Sequence, residues 1–249
     1  MGAIHTIWLR NVKRFARSKS RLFGSLTQPL FFLIVLGFGL NSLITIPGQS
    51  VTYMKFLIPG IVAMTLMFSS IFSGIQVIWD KQFGFLKETL VAPVSRVSIM
   101  IGQTLGGATV AIVQGLLIFI ISLFIDISIL TFPGIFIALL FMLLIGIGFT
   151  AFGVLIASRM EDMQGFQLII NLVIFPIFFL SGALFPMNNA PAIIKILTYI
   201  DPLTYGVEGM RYGLLGISQI NPWICFLVLG LFTTAMVILG AIFFRKIKV

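Results

Sequence analysis

Residues 80–96 read DKQFGFLKETLVAPVSR, and their position between two long apolar runs decides how the chain is organised. From Phe56 to Trp79 the sequence is almost uninterruptedly apolar, polarity begins at Asp80, and a second apolar run opens at Val97. Between them stand Asp80, Lys81, Lys87, Glu88 and Arg96, interleaved with Phe83, Phe85, Leu86 and Leu90. Composition from Lys81 to Leu90 favours a helix with Asp80 as N-cap. The helix is expected to stop before Pro93, because the residue ahead of a proline is disfavoured in the helical region. Phe83, Leu86 and Leu90 fall three and four apart and share one face. Such a stripe on the water side of a membrane needs cover. Lipid headgroups and a groove on a soluble partner fit equally well. For the second, the docking residues are Asp80, Lys81, Phe83, Gly84, Phe85, Leu86, Lys87, Glu88 and Leu90.

The chain around this stretch is 59% hydrophobic and 9% charged over 249 residues, with a mean hydropathy of +1.15. A soluble domain is about half apolar and about a quarter charged. The class is therefore an all-α polytopic membrane protein, one transmembrane domain over residues 1–249. Six spans are expected at 22–46, 56–79, 98–125, 134–157, 165–185 and 222–244, each reaching the roughly 20 residues that cross about 30 Å of hydrocarbon. Gln28-Pro29 lies near the start of the first and Pro176 interrupts the fifth. Gly102 and Gly106 give the third a GxxxG spacing, which permits close helix contact.

Residues 1–21 predict an amphipathic helix lying in the membrane interface. Ile4, Trp8, Val12 and Phe15 fall on one side, and Arg10, Arg14, Arg17 and Arg21 on the other, toward headgroups and water. A signal-peptide n-region is disfavoured, because the following apolar run is too long for an h-region.

Residues 186–221 are too long for a turn and too apolar for a disordered loop. Ile193, Ile194, Ile196, Leu197, Leu203, Leu214 and Leu215 need cover, whereas Asp201, Glu208 and Arg211 argue against a full crossing. Pro191 and Pro202 cut the segment into two short helices. The expectation is a re-entrant hairpin containing Pro186, Pro191, Asp201, Pro202, Tyr205, Glu208 and Arg211, since irregular backbone at membrane depth is tolerated only when buried in protein or lining a water cavity.

Charge location sets the orientation. The side holding residues 1–21, 80–96, the fourth-to-fifth connection and the C-terminus carries 13 of the 16 Lys and Arg; the other has Lys55, Lys195 and Arg211. Both termini and residues 80–96 are thus expected in the cytoplasm. The net charge of +9 reflects this asymmetry and implies no nucleic-acid partner.

Several chemistries lack their residues. Within these 249 residues there is no GxxxxGK[ST] phosphate loop and no HExxH. One cysteine, Cys225, and one histidine, His5, allow no intrachain disulfide and no Cys/His metal site. The expected spans hold no Asp, Glu, Lys or Arg, the groups that proton- and ion-coupled carriers keep at the midplane. Gln76, Gln103, Gln114 and Asn171 are the main polar side chains at depth, best read as helix–helix hydrogen bonding. Energy for transport would then come from another protein. A secondary carrier or channel, and a membrane enzyme or scaffold, remain the alternatives.

The order of features carries a resemblance. A basic amphipathic start is followed by Gln28-Pro29, by Asp80 with Gly84, Leu86, Lys87, Glu88 and Leu90, by Pro93-Val94-Ser95-Arg96, and by Gly102. Later come Ser181-Gly182, Phe185-Pro186, Pro191, Asp201-Pro202-Leu203-Thr204-Tyr205 and Arg211. Together these resemble the permease subunit of type-2 ABC exporters, similar to drug-, polysaccharide- and lipid-exporting permeases. The resemblance implies two cytoplasmic ABC ATPase subunits on separate chains, holding the ATP and Mg. It also implies a second permease copy, with a homodimer expected over a heterodimer, and export across the cell membrane. This chain would bind no cofactor and have no catalytic or metal site of its own.

Overall fold

The computed structural model describes residues 2–44, 51–85, 94–126, 132–187 and 190–246. These residues form helices α1 (Gly2–Arg17), α2 (Lys19–Leu40), α3 (Tyr53–Ser73), α4 (Ile75–Gln82), α5 (Arg96–Asp126) and α6 (Phe132–Arg159). They continue as α7 (Met163–Ile169), a π-helical turn (Ile170–Ile174), α8 (Phe175–Leu180), α9 (Ala192–Ile200), α10 (Pro202–Leu215) and α11 (Pro222–Arg245). Six stretches among them are long and apolar enough to cross a membrane: Leu22–Leu40, Tyr53–Gln82, Arg96–Ile125, Phe132–Arg159, Met163–Leu180 and Pro222–Arg245.

All six expected spans are present with shifted ends. The first stops at Leu40 instead of residue 46, because the Asn41 side chain accepts from the Met54 amide at 3.1 Å and turns the chain into α3. The second runs on to Gln82, so Asp80 belongs to it. The fifth ends at Leu180, where the turn through Gly182 (φ +70°) reverses the chain. Pro176 does not break the fifth span. A π turn just before it loosens the hydrogen-bond ladder where proline has no N–H to give.

Span two is the most buried of the six, and its neighbours pack on glycine. A Cβ on Gly74 would strike the Gly153 carbonyl of α6, and one on Gly60 would strike the Ala183 carbonyl. The GxxxG of span three is filled from within the chain. A Cβ on Gly102 would come within 2.9 Å of Ile7 Cβ, and one on Gly106 within 2.8 Å of Asn11 Cβ, so α1 lies directly on α5.

Two prolines open helices in the last third, where a missing N–H costs nothing. Asp201 and Asn221 cap α10 and α11 by accepting from the amides of Leu203 (2.8 Å) and Trp223 (3.0 Å). α10 is buried along nearly all its length, Leu203, Leu214 and Leu215 included; α9 leaves Ile193, Ile196 and Leu197 exposed.

Candidate functional site

Span two ends in a polar network. The Asp80 carboxylate is buried at the end of α4 and accepts from Arg10 (2.6 Å), Gln76 Nε2 (2.9 Å) and Gln103 Nε2 (3.1 Å). Asn11 Nδ2 donates to Gln103 Oε1 at 2.7 Å and Arg14 to Gln76 Oε1 at 2.6 Å, with the Arg14 guanidinium 5.4 Å from the Trp79 ring centre. Trp8 Nε1 donates to Thr109 Oγ1 at 3.0 Å, and Phe15 is buried. Both oxygens of the buried carboxylate are thus bonded, the condition under which a buried charge is tolerated.

One residue on, Lys81 reaches the opposite way. Its Nζ donates to the carbonyls of Ser158 (2.7 Å), Met160 (3.1 Å) and Ala157 (3.4 Å), around the C-terminus of α6. There the last carbonyls lack helical partners and the helix dipole is negative, which suits an ammonium. Gln82 Nε2 donates to Glu161 O at 3.2 Å. At the same end of the bundle, Arg96 donates to Arg245 O at 2.7 Å, and the Arg159 guanidinium lies 4.3 Å from the Phe243 ring centre. The N-terminal helix and the ends of spans two, three, four and six therefore meet at one end.

Three expectations are corrected here. Asp80 is no N-cap: it lies inside α4, paired with Arg10, because the helix of span two continues past Trp79. The expected helix from Lys81 to Leu90 is broken at Phe83–Gly84, where Gly84 takes φ +79°, a conformation that L side chains rarely adopt. Arg10 does not face outward to headgroups but turns onto Asp80; Arg14 donates to Gln76 while staying exposed, as Arg17 does. Of the proposed docking residues, Phe83 and Phe85 are 76% and 56% exposed. Leu86, Lys87, Glu88 and Leu90 lie outside the described residues.

The network itself was missed from the sequence. Gln76 and Asp80 stand four apart on one helix face, Gln103 is an amide within an apolar run and Asn11 one within the basic N-terminal helix, but nothing local says that they meet. Gln76, Gln103 and Gln114 do act as helix–helix hydrogen bonders, Gln114 Nε2 donating to Ser25 Oγ at 2.6 Å. Asn171 does not; it is exposed and pairs weakly with Gln167 at 3.4 Å. A cavity of about 480 Å³ lies between α1 and spans one to three, with Arg14, Gln28, Ser69, Gln76 and Gln114 in its wall.

At the opposite end the 186–221 segment holds Asp201, Glu208 and Arg211 inside. Arg211 pairs with Glu208 at 2.5 Å, donates to Gly182 O at 2.9 Å and lies 3.7 Å from the centre of the Phe56 ring. Glu208 Oε2 accepts from Ser218 Oγ (3.1 Å) and from the Gln219 amide. Tyr205 donates to Tyr199 O at 2.7 Å, and Tyr53 to Leu184 O at 3.0 Å. Asp201 Oδ2 is buried without a partner, and burial pushes this carboxyl up to about 8. Pro191 precedes α9 and Pro202 opens α10, and Pro186 lies in the connection after span five.

Residues 2–215 match the family described as ABC-2 type transporter. The chain belongs to the ABC-2 type transporter family. Among relatives of this ABC-2 chain, the ycf38 transport permease of Cyanophora paradoxa is 31% identical over 207 residues, 81% of this chain and 71% of that protein. The inner membrane transport permease YadH of Escherichia coli K12 is 26% identical over 239 residues, covering 94% and 91%. Nodulation protein J of Sinorhizobium fredii is 25% identical over 212 residues, covering 84% and 80%. The ABC-2 match thus takes in the docked helix, the network at Asp80 and the Glu208–Arg211 pair, and membrane transport is the role that family and relatives support.

Proposed function

We propose that this ABC-2 chain is the membrane-spanning subunit of an ATP-driven exporter in the cell membrane, with both termini in the cytoplasm. It works as a pair of permease chains with two cytoplasmic ATPase subunits, which carry the ATP and Mg. The observation that carries this reading is the fixed end of span two. Phe83 and Phe85 emerge, exposed, two and four residues after Lys81, which together with Asp80 ties that end to α1, α5 and α6. A partner pressing on this segment would move four helices together, and such contact is how a chain with no phosphate loop in its 249 residues can use ATP. Asp80 and Lys81 anchor the docking segment; Phe83, Gly84, Phe85, Leu86, Lys87, Glu88 and Leu90 form it. The short helices α9 and α10 would be the re-entrant hairpin, with Asp201, Glu208 and Arg211 turned inward.

Span five supports the pairing of two chains. Gln164, Gln167 and Asn171 lie exposed on it, Asn171 within the π turn and the other two ahead of it. Amides facing hydrocarbon are costly, whereas a path between two permeases would keep them wet. The test is the mass of the active complex. The permease co-expressed with its ATPase in nanodiscs is expected to give two of each chain. ATP-driven transport by a complex containing one permease would overturn the pairing.

A further inference from the structure

The end of the bundle remote from Asp80 holds a cavity of about 300 Å³, and the transport reading above gives it no task. It lies between α9, the start of α10, the Ser181–Gly182 turn and the connection before α11, with Lys195, Thr198, Thr204, Glu208, Arg211 and Gln219 in its wall.

The hydrogen-bonding capacity of that wall is lopsided. Its acceptors are engaged: Glu208 Oε1 by Arg211, and Oε2 by Ser218 and the Gln219 amide. The buried hydroxyls of the wall are engaged as well, Ser181 with the carbonyl of Phe178, Thr198 with the carbonyls of Leu180 and Ile194, and Thr204 with the carbonyl of Thr198. The charged groups left over are donors. Lys195 makes no ion pair or hydrogen bond among the described residues, and Arg211 Nε is buried without a partner. The Gln219 side-chain amide, which can donate or accept, is unengaged as well. Two cations face one carboxylate, so the cavity carries a net positive charge. A ligand that completes this wall brings acceptors and negative charge. The volume, at the lower end of the roughly 300–1,000 Å³ typical of small-molecule sites, leaves room for what bears the charge.

We infer that this cavity is a binding site for an oxyanion group, a phosphate or carboxylate, with Lys195 as its contact at the mouth and the Glu208–Arg211 pair as its fixed floor. The group belongs either to a free anion or to the headgroup of an anionic lipid in the adjoining leaflet. Lys195 is half-buried and has no partner among the described residues, so replacing it leaves the fold intact, whereas Arg211 holds α10, the Gly182 turn and α3 together and does not serve as a test.

The experiment places an environment-sensitive fluorophore on Ile196→Cys, in a Cys225→Ser background. Ile196 is 60% exposed on the helix that carries Lys195. Protein in phosphatidylcholine nanodiscs is titrated with inorganic phosphate in one arm. In the other, the nanodiscs are doped with phosphatidylglycerol. The expected result is a saturable change in one arm or both, weakened at least tenfold by Lys195→Gln and kept by Lys195→Arg. A response to phosphate assigns a free anion; a response only to phosphatidylglycerol assigns a headgroup. The same response in Lys195→Gln as in the parent, or none in either arm, would overturn the inference.

Discussion

Arg10 and Asp80, 70 residues apart in sequence, meet as an ion pair at 2.6 Å, with the Asp80 side chain 8% and the Arg10 side chain 36% exposed. The pair joins the N-terminal helix to the end of span two. Because Gln76 and Gln103 also serve the carboxylate, removing Arg10 leaves it partly satisfied. Arg10→Ala is expected to cost about 1–3 kcal/mol, the range for losing one partner of a buried polar group. Asp80→Ala should cost more, since it strands two buried amides and an arginine. A double-mutant cycle on Arg10→Ala and Asp80→Ala, read by thermal unfolding in nanodiscs, should give a coupling of about 0.5–3 kcal/mol. Additive losses would mean that the two side chains act independently.

Close backbone approach at span two predicts a sharp contrast among glycines. Gly60→Ala and Gly74→Ala each drive a methyl group into a backbone carbonyl that no rotamer change can move, whereas Gly230 has open space around it. The first two should lower stability by about 1–3 kcal/mol or more. Gly230→Ala should be neutral or up to about 1 kcal/mol stabilising, as alanine favours helix. Melting midpoints of the three variants in one nanodisc preparation check this.

Asp201 predicts a pH dependence with a definite sign. Burial raises its carboxyl from the ordinary 3.8 to about 8 in the folded protein. Between those values the folded chain holds a proton that the unfolded chain has released, so stability from this group falls as pH rises through the window and levels off above about 8. Asp201→Asn keeps an acceptor for the Leu203 amide and cannot ionise. Its melting midpoint should therefore decline less between pH 5 and 8 than that of the parent, the two curves separating toward pH 8. Parallel curves would show that Asp201 is charged throughout.

Orientation follows from the basic asymmetry and is checked by labelling. In a Cys225→Ser background, a membrane-impermeant maleimide added from outside should reach Ser42→Cys and Ala192→Cys and leave Ser20→Cys and Gln82→Cys untouched. All four positions are exposed, so accessibility reports sidedness. Labelling of Gln82→Cys from outside would reverse the assignment.

Much of the architecture is legible from the sequence because apolar length is a one-dimensional signal. Six runs of about 20 residues, split by Asp80–Arg96 and by the proline-bounded 186–221 segment, give six spans and two short helices without knowledge of contacts. Side-chain direction is not one-dimensional. The helical wheel of residues 1–21 sets Arg10 and Arg14 apart from Trp8 and Phe15. It has no means of showing that Arg10 reaches a buried carboxylate on span two. Asp80 misleads for a related reason: at the edge of an apolar run, a charge reads as the start of a loop. Only Arg10, Gln76 and Gln103, drawn from three helices, make its burial tolerable. Gly84 carries the opposite lesson, since a glycine inside a helix-favouring stretch marked the place where the helix breaks.

The account rests on the exposed segment after Asp80 and Lys81 being the ATPase contact, and recruitment of the ATPase measures this most directly. The permease and its cognate ATPase are co-expressed, and the ATPase retained on the purified permease is quantified at matched membrane levels. Phe83→Ala with Phe85→Ala removes two exposed rings while leaving the Arg10–Asp80 and Lys81 anchors in place. Buried aromatic anchors contribute about 2 kcal/mol or more at protein interfaces, so ATPase affinity should fall roughly 30-fold or more, with melting temperature unchanged and transport lost in proportion. Full recruitment and normal transport by the double variant would contradict the account and leave the segment resting on lipid.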